Sequence, residues 1–266
     1  MINLKKLIMK NLKLLRTTIA LLFVLMTLQG QAAEPAKKKL QILILAGQSN
    51  MVGHANPHTI ATLLQSDDAR DKRLAQMIFK DGNGLSQKAL SEHLIRARKI
   101  DELTGGISNE KTKAMKPGPE KTALEAEVKK LKEAHEAFKN KILSACAVSD
   151  QVYIASIADG NKGSGPLTVG YGGSREKIGP ELSFGLSMAQ KMDAPILIIK
   201  TSWGGKSLNY NFRPPSAGPY KLNKKEQAAK NAADIKKNAS LNWRMMNEAV
   251  HNVLKDLKKH HPKYDA

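Results

Sequence analysis

The chain has 266 residues, with 43 lysines and arginines against 24 acidic residues and a formal net charge of +19. One cysteine excludes an internal disulfide and any multi-cysteine metal centre. Aromatic residues make up only 5% and no basic run is interleaved with them, which argues against a nucleic-acid-binding protein that works by base stacking.

Lys5, Lys6, Lys10, Lys13 and Arg16 precede an apolar run from about Thr17 to Leu28, and Gly30, Ala32 and Ala33 follow it. Basic, apolar and small-residue segments in that order predict a secretory signal over residues 1–33. Its apolar part is short for a membrane span, and the alternatives are an uncleaved amphipathic anchor or an ordinary helix. The expectation is an exported protein, periplasmic or secreted, with one domain over 34–266 and no membrane association after cleavage. Most of the positive charge stays on that domain. An acidic glycan is then the natural polyanionic partner, while lysines on solvated helix faces are the plainer explanation of the same charge.

Ile42 to Ala46 form an apolar run bounded by lysines and Gly47, which predicts a central parallel strand buried on both faces. Gly47 hands over at once to Gln48, Ser49 and Asn50. The next run of this kind is APILIIKTSWGG, with Pro195 at its mouth and Gly204 and Gly205 at its exit. The separation is far longer than a crossover needs, and residues from about 56 to 150 read as a helical insertion. Two short charged amphipathic segments, DDARDKRLAQMIF and LSEHLIRARKIDEL, precede a strong helix, EKTALEAEVKKLKEAHEAFKNKIL, in which Leu124, Val128, Leu131, His135 and Phe138 form one stripe. No second ligand type stands three or four residues from His135, so it reads as a partly buried structural histidine. Cys146, in SACAV, reads as a small core residue.

QVYIASIAD alternates like a strand, and the glycine-rich NKGSGPLTVGYGGSREKIG reads as a loop. Its GYGG lacks the third glycine of a dinucleotide turn. Pro180 opens a helix, PELSFGLSMAQKM, with Leu182, Leu186 and Ala189 on one side. Beyond the second strand come an irregular aromatic and proline segment, a polar helix, NKKEQAAKNAADIKK, and a last helix with Trp243, Met246, Val250, Val253, Leu254 and Leu257 on its packing face.

A serine hydroxyl is a weak nucleophile until a base takes its proton and fixed donors await the oxyanion. In AGQSNMVG the small Ala46 and Gly47 permit a tight turn that presents Ser49 at the carboxyl edge of a sheet with its own N–H free. A phosphate-binding loop would carry a lysine after its second glycine, and none is present.

GQSNMVGH resembles the first block of the SGNH hydrolases, most closely the sialate O-acetylesterase-like carbohydrate esterases. IGPELSFG and LIIKTSWGGKSL are similar to the next landmarks of that branch, in the same order. The resemblance implies a three-layer α/β sandwich around a mainly parallel, doubly wound, flavodoxin-like sheet. It implies Ser49 as nucleophile, the Gly205 amide beside that of Ser49 in an oxyanion hole, and Gln48 and Asn50 shaping the turn. Gly204, Lys206 and Ser207 would complete the substrate pocket. The substrate would be an acetylated carbohydrate, and no metal or organic cofactor is implied.

Two blocks of that pattern are not found: a glutamine or asparagine closing a further strand, and an Asp-x-x-His that supplies the base. His54, His58 and His251 are the remaining candidate bases, and none stands where the pattern puts one. The expectation is therefore an amino-terminal, truncated portion of an esterase with little activity by itself. The alternative is a non-catalytic carbohydrate-binding or scaffold protein derived from the same fold.

Overall fold

The computed structural model describes residues 38–264 except 80–84, 107 and 161. The predicted signal, residues 1–33, lies outside the described residues.

Strand β1 (Gln41–Gly47) leads into a short helix α1 (Ser49–Val52). Helices α2 (His58–Ala61), α3 (Ala69–Ile78), α4 (Gln87–Thr104), α5 (Glu110–Ala114) and α6 (Pro119–Ala145) follow before the next strand, β2 (Val152–Ser156). Strand β3 (Gly163–Pro166), helix α7 (Pro180–Lys191) and strand β4 (Ile196–Ser202) complete the sheet. The carboxyl-terminal part holds α8 (Lys224–Gln227), α9 (Ala232–Asn238), α10 (Leu241–Lys255) and α11 (Leu257–His260).

The sheet runs β1-β4-β2-β3. β4 is parallel to β1 and to β2, and β3 is antiparallel to β2. This is an α/β fold on a mixed, mostly parallel sheet, compatible with a flavodoxin-like layout. All seven residues of β4 are buried. Its side chains alternate: Ile196 and Ile198 join Val152 and Ile154 under Leu182 and Leu186 of α7, while Leu197 and Ile199 join Tyr153 and Ala155 under Val253 of α10. Helices thus cover both faces, and burial of each large aliphatic side chain contributes roughly 1.5–3 kcal/mol. Among the described residues no helix is long and apolar enough to cross a membrane.

Four local expectations need correction. β1 is an edge strand rather than the central one, and Ile44 is 51% exposed. A short apolar run specifies extended backbone but not how many neighbours flank it, and β4 occupies the central place. The glycine-rich segment read as a loop contributes β3, because antiparallel pairing with β2 satisfies its backbone groups. The polar helix is two short helices, α8 and α9. Leu254 is 42% exposed, whereas Val250 and Val253 of the expected face do pack on the sheet.

A cluster of rings joins the inserted helices to one another. His93 of α4 is fully buried, and among the described residues neither of its ring nitrogens has a hydrogen-bond partner. It stacks on His135 of α6 with centroids 4.1 Å apart and planes 13° apart, and meets the edge of His58 of α2 at 5.3 Å. Stacked imidazoles hold their lone pairs in parallel planes, which do not converge on one ion. Among the described residues no group of three histidine, cysteine, aspartate or glutamate side chains is arranged to hold a metal.

Burial, then repulsion from His135, His58, Arg96 and Lys139, pushes the His93 pKa from 6.5 down to about 4. The folded state therefore binds this proton more weakly than the unfolded chain does. Stability is complete above pH 6.5 and is lost as pH falls toward 4, by an amount on the order of 3 kcal/mol. Urea unfolding followed by circular dichroism should show a midpoint that is constant above neutrality and drops in that acid window. In His93→Phe, which keeps a ring against His135, most of the drop should disappear.

Candidate active site

β1 and β4 end side by side, with Gly47 opposite Ser202. The Trp203 amide donates to the Gly47 carbonyl at 3.1 Å and extends the pairing one step beyond the strands. At Gly47 the chain turns from strand into α1 so sharply that an added Cβ would lie 2.7 Å from Cβ of Met51. Gly53 closes α1 at φ +85, where a Cβ would come within 2.2 Å of Cα of Gly179. A side chain at either position forces this corner apart.

The turn puts Ser49 at the first position of α1, where its amide and that of Asn50 stand outside the helix ladder. The Ser49 hydroxyl donates to Oε1 of Gln48 at 3.0 Å. Ser49 and Asn50 line a cleft of about 500 Å³ whose other walls include His54, Thr59 and Ile60. Ile178, Gly179 and Pro180, at the entrance to α7, form the far side. The His54 imidazole lies against Gly173, where a Cβ would come 2.8 Å from its Cε1 and Nδ1. Among the described residues it makes no hydrogen bond with Ser49. His58 turns away into the ring cluster, and Nδ1 of His251 pairs with the Asn247 carbonyl on α10.

The residues after β4 occupy the neighbouring turn rather than the cleft wall. The Gly204 amide donates to Oδ2 of Asp159 at 3.0 Å. Gly205, with φ +65, is exposed. Lys206 is half-buried, and Ser207 accepts the Tyr210 amide at its hydroxyl, organising its own loop. The structure thus brings Gln48, Ser49 and Asn50 together and leaves Gly204, Gly205, Lys206 and Ser207 on the adjacent strand end.

Under the cleft lies a pair that sequence reasoning missed. Lys200 of β4 and Glu181 of α7 are both fully buried, with Nζ 2.7 Å from Oε2. Nζ also donates to the carbonyls of Val52 at 2.9 Å and Tyr171 at 2.6 Å, so all three ammonium protons are used. The other oxygen of Glu181 accepts the Gly179 amide at 2.9 Å. Burial pulls the Lys200 pKa below the ordinary lysine value, and Glu181 opposes that pull. The available signals were a lysine inside the apolar run ILIIKTS and a glutamate one residue into a helix opened by Gly179 and Pro180.

No family model, curated protein or solved structure matches this chain.

Breaking the buried pair from one side leaves a charge without a partner, which typically costs about 3–5 kcal/mol. Lys200→Met should destabilise the protein by about that amount in urea titrations. Lys200→Met combined with Glu181→Leu should recover most of the loss, and a strictly additive double variant would show that the two side chains are not coupled.

Proposed function

We propose that this chain is an exported SGNH-type serine esterase of the sialate O-acetylesterase kind, acting on acetylated carbohydrates through an acyl-enzyme on Ser49. The observation that carries the proposal is the position of Ser49. It stands at the carboxyl end of a parallel strand, at the first residue of a helix, inside a cleft and next to amides outside the helix ladder.

In this mechanism Ser49 Oγ attacks the acetyl carbonyl carbon and its proton passes to a base. The amides at the start of α1 face the growing negative charge on the carbonyl oxygen. Donors of this type contribute about 10²- to 10³-fold each. The sugar alcohol leaves with a proton, and water then releases acetate from Ser49.

A second reading has its own support. The Ser49 hydroxyl is engaged by Gln48 rather than by an imidazole. Loss of the histidine base costs on the order of 10⁶-fold in turnover in a serine hydrolase. A protein that binds acetylated glycans in this cleft without turning them over fits that hydroxyl equally well.

A fluorophosphonate probe should label Ser49 slowly, and the label should vanish in Ser49→Ala. Deacetylation of an acetylated sialic acid or xylan oligosaccharide by the intact protein, lost in Ser49→Ala, would establish the esterase. Saturable binding of the same oligosaccharides with no label on Ser49 would replace it with the second reading.

A further inference from the structure

The serine that does meet an imidazole is elsewhere. Ser164 Oγ lies 2.6 Å from Nδ1 of His260, a distance at which a histidine can take a hydroxyl proton. Ser49 follows β1 at one edge of the sheet, whereas Ser164 belongs to β3 at the other.

Two unrelated pieces of structure create the contact. The antiparallel register sets Ser164 opposite Ala155 of β2. Ala155 lies on the face that packs under Val253 of α10, so Ser164 points to that face too. His260 comes from α11, whose first turn is capped by the Asp256 carboxylate accepting the Lys259 amide. The next residue, His261, is buried with its ring 4.3 Å from that of Tyr153 on β2. One histidine of the pair thus anchors the end of α11 on the sheet while the other is delivered to Ser164.

The pair opens into a cleft of about 640 Å³ lined also by Asn252 and Lys259, with Ile157 and Val253 among its apolar residues. It therefore joins a hydroxyl, a base, an amide, a cation and an apolar surface in one space. Burial, then Lys259, holds the His260 pKa below the ordinary histidine value, against a smaller opposing pull from Asp256. The imidazole is accordingly neutral at neutral pH. In the tautomer that carries its hydrogen on Nε2, Nδ1 accepts from Ser164.

The geometry points to a second acyl-transfer site, independent of Ser49, in which Ser164 is the nucleophile and His260 its base for short-chain acyl esters. Ser164 Oγ bonds to the ester carbonyl carbon as its proton moves to His260 Nδ1. The Asn252 amide and the Lys259 ammonium are the donors available to the carbonyl oxygen. The bond to the alcohol oxygen breaks, and that oxygen takes the proton from His260. Water then adds to the acyl carbon and passes a proton to His260, which returns it to Ser164 as the carboxylic acid leaves. The net reaction is ester plus water to acid plus alcohol.

Among the described residues no carboxylate is hydrogen-bonded to His260, so turnover is expected to be slow and covalent labelling is the better readout. The intact protein is treated with a fluorophosphonate, digested and mapped by mass spectrometry, alongside Ser49→Ala, Ser164→Ala and His260→Asn. Asparagine keeps a hydrogen-bonding group near the Nδ1 position but cannot serve as the base. The peptide carrying Ser164 should be labelled in the wild type and equally in Ser49→Ala, and its labelling rate should fall about 10²-fold or more in His260→Asn. The p-nitrophenyl acetate turnover that remains in Ser49→Ala should be lost when Ser164→Ala is added to that variant. An unlabelled Ser164, or one labelled equally fast in His260→Asn with the circular dichroism spectrum unchanged, overturns the proposal. Either result leaves the Ser49 reading where its own labelling puts it.

Discussion

The ion pair between Lys200 and Glu181 is the constraint around which this corner of the molecule is arranged. Two charges with no solvent exposure are costly to desolvate, and they are tolerated only because every polar contact is made. Lys200 spends its three protons on Val52, Tyr171 and Glu181, while Glu181 also holds the amide that precedes Pro180. Four separate stretches of chain are thereby tied to one ammonium: the end of α1, the glycine-rich segment, the start of α7 and the central strand. The cleft beside Ser49 lies between two of them, α1 and the entrance to α7.

That arrangement explains why glycines crowd the region. Gly53 and Gly179 touch backbone to backbone, and the His54 ring lies against Gly173. Polar backbone drawn in toward a buried ammonium leaves no room for side chains between the segments. The wall that carries Thr59 and Ile60 is held differently, by His58 packing on His93, which in turn stacks on His135. One side of the cleft therefore rests on an ion pair and the other on packed imidazole rings.

The two serine settings differ in a way that matters chemically. Ser49 has the backbone environment of a nucleophile, at a strand-to-helix corner with amides outside the ladder, but its hydroxyl is paired with an amide oxygen. Ser164 has the opposite endowment, an imidazole at contact distance on an edge strand without such a corner. A strand-to-helix corner and an imidazole neighbour are separable features of a serine, and this chain separates them.

Much of the architecture was legible in the order of residues. The runs around Ile44, Ile154 and Ile198 with their glycine and proline boundaries, the Pro180 helix start and the three-and-four stripe from Leu124 to Phe138 each carry a local signal of the element they form. So does the small-residue corner at Gly47 that exposes Ser49. Strand order, the open flank of β1 and the pairing of β3 were not legible, because periodicity describes one element against water and not its neighbours. The Lys200 pair, the cluster of three histidine rings and the contact between Ser164 and His260 join residues 19 to 96 positions apart. Their partners were chosen by packing, through the low dielectric and fixed geometry of a folded interior, and no local pattern encodes that choice.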